Sequence, residues 1–212
     1  MKALILAAGR GERLRPLTDS VPKPLVKLNG EEMILHHIKK LSSAGFHDIY
    51  INIDYLGDKI MDRLGDGSEW GVRLHYLDER RSGALESGGA VINALEFLGE
   101  RFMVVSADIY SDIKYEKDFR LQEGRLAHLT LIPNPPHNLD GDFSYMGARY
   151  TFSGIGYYDA KLFLRYAPQK IKIAAILHDA IRHNRVDFSL HRGIWHDIGT
   201  ARRLQEAKRC LS

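Results

Sequence analysis

Residues 2–7 read KALILA, an apolar run behind one lysine, and they lead directly into the loop AGRGERLRPLTDSVPKP. A short run of Leu, Ile and Ala without polar alternation describes a strand buried on both faces, the habit of a parallel sheet covered by helices. In such a sheet ligands collect beyond the carboxyl ends of the strands, so the first loop is a place for chemistry. Gly9 and Gly11 accept positive φ and let backbone N–H groups come close to an anion. Arg10, Arg13 and Arg15 add planar donors that match phosphate oxygens. Two familiar phosphate loops fail on spacing: G-x-G-x-x-G lacks its third glycine because residue 14 is Leu, and G-x-x-x-x-G-K-[ST] does not occur. At the far end of the loop, Pro22 and Pro24 restrict the backbone around Lys23, which lowers the entropy lost when its ammonium meets an anion.

The apolar pattern downstream keeps alternating between the two periods. Met33, Ile34, His37, Ile38 and Leu41 recur at helical spacing, with Gly45 placed to cap the end. Strands are predicted at 49–53, 72–77 and 102–106, a short helix at 58–64, turn chemistry at 65–71 and a helix near 90–98. The strand at 102–106 exits at Asp108. Alternation of this kind predicts an α/β, Rossmann-like fold, a mostly parallel mixed sheet with helices on both faces. The second half is less regular, with strands expected at 126–132, 150–157, 186–190 and 193–196, and helices at 173–183 and from Thr200. Neither an internal repeat nor a linker composition interrupts the chain, so a single domain over residues 1–212 is expected.

Charge and cysteine usage exclude several classes. The net charge of +3 comes without a basic stripe, which argues against nucleic acid as partner; Lys39-Lys40 and Arg80-Arg81 read as solvated faces. One cysteine, Cys210, cannot build a disulfide framework and suits a reducing compartment. The N-terminal apolar run is too short and too quickly charged for a signal peptide or a membrane span, so a cytoplasmic protein is expected. His36 and His37 adjoin on a helix, one expected inward and one outward. His196 stands beside Asp197, but no H-E-x-x-H or Cys-His spacing suggests zinc.

The pattern LAAGRGERLRPLT…PKPLV resembles the signature of the sugar-1-phosphate nucleotidyltransferases. That resemblance implies a reaction in which a sugar 1-phosphate attacks the α-phosphorus of a nucleoside triphosphate in line and releases pyrophosphate. It implies that Ala8, Gly9, Gly11, Glu12, Arg13 and Lys23 bind the nucleotide, and that Asp108 and Asp197 hold Mg²⁺, with Arg13, Lys23, Asp108 and Asp197 as the catalytic set. Asp108 follows the strand FMVVS, although Ala107 stands where the family carries glycine, and Trp195-His196-Asp197-Ile198-Gly199-Thr200 matches the family's W-x-D-x-G-T element. LDERRSGALESGGAV at 77–91 is similar to a base-recognition loop, which implies nucleotide contacts from Glu86 and Gly88. GDF at 141–143 and TFSG at 151–154 resemble sugar-binding stretches, which implies sugar contacts from Gly141, Asp142 and Gly154.

Within the family, the combination of LESGG, GDF, TFSGI and WHDIGT is most similar to the branch that joins UTP to N-acetylmuramate 1-phosphate in cell-wall recycling. Two departures stand out: the 143–151 segment is short, and the Glu-Lys-Pro motif of larger relatives is missing. Guanylyl transfer to mannose 1-phosphate, thymidylyl transfer to a hexose 1-phosphate, cytidylyl transfer to phosphocholine, and a non-catalytic nucleotide-sugar sensor remain as alternatives. The lactyl carboxylate of N-acetylmuramate calls for a cation or amide donor. The resemblance suggests Lys172 for it, with Arg149 and His137 as alternatives.

Overall fold

The computed structural model describes residues 1–80, 83 and 85–211, so Arg81 of the Arg80-Arg81 pair, with Ser82 and Ala84 of the 77–91 loop, lies outside the described residues. The run KALIL becomes β1 (Lys2–Leu6), and two short strands, β2 (Lys27–Leu28) and β3 (Glu31–Glu32), follow the loop before α1 (Met33–Ser43). Next come β4 (Asp48–Ile53), α2 (Gly57–Leu64), β5 (Arg73–Asp78), α3 (Glu86–Leu98), β6 (Arg101–Ser106) and β7 (Ile109–Ser111). The second half adds β8 (Ala127–Ile132), β9 (Phe143–Tyr145), β10 (Ala148–Asp159), α4 (Ile173–Arg182), β11 (Val186–Leu190), β12 (Trp195–Asp197) and α5 (Ala201–Cys210).

The main sheet runs β11-β8-β10-β6-β1-β4-β5, with β9 paired to β10. β1 is parallel to β4 and β6, β4 to β5 and β11 to β8, whereas β10 runs antiparallel to both β6 and β8. The expected mostly parallel mixed sheet is therefore observed. Register levels the carboxyl ends of the central strands: Leu6 pairs with both Asn52 and Ser106, so the loops carrying Gly9 and Asp108 leave the sheet side by side.

Burial on both faces explains the lack of alternation in β1. Ala3 and Ile5 pack with Ile34, Ile38 and Leu41 of α1 and Ile60 of α2, while Leu4 faces Val91 and Ala94 of α3 and Ile176 of α4. Each such side chain taken fully from water contributes about 1.5–3 kcal/mol. α1 ends as its glycine suggests: Gly45, at φ 83°, donates to Ser42 O (2.9 Å) and Phe46 to Leu41 O (3.0 Å). A third, smaller cluster of Val26, Leu28, Met33, Ile198 and Leu204 ties β2 to α5. It fastens the chain just after Lys23 against the chain just after Asp197.

Two readings of α1 are corrected by the packing. Lys40 does not face solvent: its ammonium donates to Ser111 O (2.8 Å) and Ile113 O (2.6 Å) and lies 4.4 Å from the Tyr115 ring centre. Burial pushes it down to about 8. His37 does face the core, but His36 is not outward; it stacks on Tyr110 at 4.2 Å and sits 3.1 Å from Ser111 O. Together these residues clamp the strand that follows Asp108.

His37 also makes the fold acid-sensitive. It is fully buried, with Nδ1 2.7 Å from Tyr115 Oη, and burial, aided by the nearby His36 and Lys40, holds its imidazole down to about 3 from an ordinary 6.5. Below 6.5 the unfolded chain takes up a proton that the native site refuses, so the stability this neutral ring contributes above 6.5 is lost as pH falls through about 3. Thermal melts between pH 7 and 4 should show a decline on the order of a few kcal/mol from this group. His37→Leu should flatten that part of the profile, and an equally steep wild-type and variant profile would contradict the assignment.

Candidate active site

The glycine-arginine loop forms one wall of a cleft of about 360 Å³ at the carboxyl edge of β1, β4 and β6. Ala8, Gly9, Arg10 and Lys23 line it, with Glu86, Ser87, Asp108 and Lys170 opposite. Gly11 and Glu12 brace the loop from behind. Gly11 has φ 67° and its carbonyl accepts from Thr18 Oγ1 at 2.8 Å; a Cβ there would stand 2.9 Å from Thr18 Cγ2, so only glycine fits. Glu12 opens the single helical turn Glu12–Leu14.

Two residues at the floor of this cleft carry no motif signal. Asn52, at the end of β4, accepts from Ala7 N (2.7 Å) through Oδ1 and donates through Nδ2 to Glu79 Oε1 (2.9 Å). Glu79 is 1% exposed, and its Oε2 accepts from Leu85 N at 3.3 Å. Burial raises the Glu79 carboxyl above its ordinary value against the opposing Asn52 and Leu85 hydrogen bonds. The relay couples the start of the glycine loop to the base of the 77–91 loop.

Glu86 and Ser87 face the cleft, but Gly88 lies beneath the 169–173 segment and is absent from the described lining. Gly88 N and Gly89 N both donate to Ile171 O (2.8 and 3.0 Å), and a Cβ on Gly89 would meet Gln169 O at 2.4 Å. The paired glycines of LESGG thus let a second backbone cross the start of α3.

The two aspartates predicted from distant motifs converge through β7 and β12. Their antiparallel pairing sets Asp197 opposite Ile109, and Ile198 N donates to Asp108 O at 2.8 Å. Lys23 Nζ donates to Asp108 Oδ2. Burial disfavours the Asp108 carboxylate, yet the charge and hydrogen bond of Lys23 outweigh it and hold the group below its ordinary value. Asp197 goes the other way: burial and then the nearby Asp108 raise it, against Arg203, Lys23 and His137. Its Oδ2 takes Arg203 Nη1 at 2.8 Å, while Oδ1 is buried with no protein partner among the described residues. Two neighbouring carboxylates, one with an unpartnered buried oxygen, fit a hard divalent cation whose other ligands come from phosphate oxygens and water. Among the described residues no cluster of three or more His, Cys, Asp or Glu could hold a metal alone.

Beyond these acids lies a second cleft of about 450 Å³, lined in part by Arg13, His137, Asn138, Asp142, Thr151, Gly154, Ala174 and Trp195. Asp142 accepts from Phe152 N (2.8 Å) and Asn138 Nδ2 (3.1 Å). Gly154, at φ 80°, lets β10 pass close to Ser106, where a Cβ would stand 3.0 Å from Oγ. Gly141 serves a turn: a Cβ there would meet Asn134 Oδ1 at 2.7 Å and Tyr150 N at 2.9 Å. Lys172 is exposed at the N-terminus of α4 and outside the described lining of both clefts, although Ile173 and Ala174 lie inside it. Arg149 is engaged by the carbonyls of Asp140 (2.7 Å) and Gly141 (2.9 Å).

Two clefts that share Asp108, with Lys23 in the first and Asp197 in the second, suit the joining of one phosphate ester to another, the work of a phosphoryl-type transferase. The chain belongs to the nucleotidyl transferase family, whose model matches residues 2–143, and is itself a nucleotidyltransferase. It is 44% identical, over 98% of its own length and 97% of the relative's, to the N-acetylmuramate α-1-phosphate uridylyltransferase of Neisseria meningitidis serogroup B. A bifunctional protein of Methanocaldococcus jannaschii is 28% identical across the whole chain, which spans 54% of that longer relative. Among solved structures, a protein designated a candidate glucose-1-phosphate thymidylyltransferase of Bacillus anthracis superposes with TM-score 0.85 at 25% identity, covering 99% of this chain and 94% of that one. No helix among the described residues is long and apolar enough to cross a membrane.

Proposed function

We propose that the protein transfers uridylyl from UTP to N-acetylmuramate 1-phosphate, releasing pyrophosphate. The observation that carries this reading is the full-length similarity to the meningococcal uridylyltransferase, combined with two clefts that share Asp108, the second of them also lined by Asp197. The 360 Å³ cleft takes the nucleotide, with backbone groups of Ala8 and Gly9 toward the phosphates and Glu86 and Ser87 toward the base. Arg13, exposed at the rim of the second cleft, and Lys23, in the first, carry the positive charge that the triphosphate needs. Lys23 exchanges part of its bond with Asp108 for a phosphate oxygen as the substrate enters. Asp108 and Asp197 are the groups that would hold Mg²⁺, which when bound neutralises charge developing on the phosphates.

The sugar phosphate is already an anionic nucleophile at neutral pH, so no side chain need act as base. The chain contributes position and electrostatics. Asp142, Thr151 and Gly154 form the sugar wall, with Trp195 closing it and its Nε1 fixed on Ser153 O at 3.0 Å.

For the lactyl carboxylate, His137 is favoured over Lys172 because it lines the sugar cleft. Burial, with the nearby Arg203, lowers its basicity against the opposing charge of Asp197, and its ring offers an N–H donor. The test is kcat/KM for N-acetylmuramate 1-phosphate against N-acetylglucosamine 1-phosphate. Wild type should prefer the former; His137→Phe should lose about tenfold of that preference, the worth of about 1.4 kcal/mol, and Lys172→Met should keep it. Loss in Lys172→Met alone would move the receptor to α4, and equal use of both sugars by wild type would refute the muramate assignment.

A further inference from the structure

Asp197 has a mechanical problem. It ends a strand of three residues, and nothing in β12 itself fixes the rotation of its carboxylate. His137 Nε2 lies 3.5 Å from its Oδ2, and the closer hold comes from α5. Thr200 caps that helix, its Oγ1 accepting from Arg203 N at 3.2 Å, so the first turn carries Arg203 back across the motif. The Arg203 side chain is only 13% exposed, and its Nη1 reaches Asp197 Oδ2 at 2.8 Å.

Gly199 makes the route available. A Cβ there would lie 2.2 Å from Arg203 Nη2 and 2.8 Å from Asp197 Oδ1, so the guanidinium occupies space that any side chain at 199 would claim. Gly199 has no positive φ to explain it. The glycine of WHDIGT is therefore there for the arginine. With Oδ2 held by Arg203, the other oxygen, Oδ1, stays buried and unpartnered beside Gly199, and Arg203 supplies the charge that offsets a second carboxylate beside Asp108.

We propose that Arg203 is a positioning residue: through Gly199 it grips Asp197 by Oδ2 and leaves Oδ1 free to accept, with Asp108, a divalent cation bound to the nucleotide. The inference rests on the nucleotidyltransferase reading and adds to it a residue four positions past the motif's glycine. Two variants break the grip in different ways. Arg203→Gln removes the cation, whereas Gly199→Ala keeps the arginine but displaces it. Arg203→Lys keeps charge and loses the planar fork.

The readout is Mn²⁺ binding to the protein, followed by the loss of the free-ion electron paramagnetic resonance signal beyond that caused by the same UTP without protein, with UTP binding in EDTA as the control. Outer partners of metal ligands typically change metal affinity by about 10–100-fold. Arg203→Gln and Gly199→Ala should both weaken Mn²⁺ by an amount in that range, Arg203→Lys by less, and all three should bind UTP in EDTA as wild type does. Wild-type Mn²⁺ affinity in Arg203→Gln and Arg203→Lys overturns the inference while leaving the nucleotidyltransferase reading in place. A loss of UTP binding in EDTA also overturns it, because Arg203 would then touch the nucleotide directly. If wild type itself takes up no Mn²⁺ with UTP, the metal reading of the site falls first and the inference falls with it.

Discussion

Asp108→Asn and Asp197→Asn should each lower kcat by about 10³-fold, which is about 4 kcal/mol at 1.36 kcal/mol per decade. Asp108 lines both clefts and Asp197 the second, and an amide keeps the shape while removing the charge a divalent cation needs. Their effects on stability should differ, which makes the prediction sharper than a loss of activity. Asp108 is held ionised by Lys23, so its amide leaves the partly buried ammonium without its partner and should lower Tm. Asp197 is raised by burial and by Asp108, so its amide relieves a repulsion while losing part of the bond to Arg203; its Tm should move less. Circular dichroism melts and steady-state rates on the same preparations check both halves. Wild-type turnover in either variant would remove that carboxylate from the mechanism.

Lys23→Ala should come next in size. One charge-assisted contact to phosphate is worth about 1.5–3 kcal/mol, or about 10–150-fold in kcat/KM. The lysine is held in place by its own loop: Leu25 N donates to Pro22 O at 2.8 Å and Val26 N to Lys23 O at 3.1 Å, so the two prolines and one helical turn aim the ammonium at Asp108. Removing it also leaves Asp108 buried without its cation, which should raise that carboxyl toward or above its ordinary range. The activity of Lys23→Ala should therefore fall most at the acid end of its pH profile. A variant with unchanged kcat/KM across pH would show that the Lys23–Asp108 pair is only structural.

Much of the fold is legible in the chain because its cause is local. KALIL has no polar alternation because β1 is covered on both faces, and Gly45 ends α1 through backbone bonds that a glycine makes easy. Short edge elements are less legible. β7 and β9 have three residues each, too few for any period to show, and β7 is what brings Asp197 to Asp108. Lys40 reads as a surface charge because its partners, the carbonyls of Ser111 and Ile113, lie some seventy positions away.

The site divides in the same way. Lys23, Asp108 and Asp197 sit inside motifs whose residue types have a chemical reason to recur, and the fold gathers all three. Asn52 and Glu79 are single polar residues at strand ends, and only pairing of β4 with β5 sets one against the other. Gly88 and Gly141 match stretches tied to binding, yet their absent side chains make room for Ile171 O and for Asn134. A glycine gives the same letter for a close ligand and for a close backbone, and only three dimensions separate the two.

On the proposed function the two clefts serve one reaction across Asp108 and Asp197. Its most direct test is pyrophosphate release on mixing the purified protein with UTP and N-acetylmuramate 1-phosphate, read with Mg²⁺ and again with EDTA. With Mg²⁺ the mixture should give stoichiometric pyrophosphate and a uridine diphosphate sugar, and with EDTA neither. Product formation undiminished by EDTA, or none from any nucleoside triphosphate and sugar 1-phosphate pair, would contradict it.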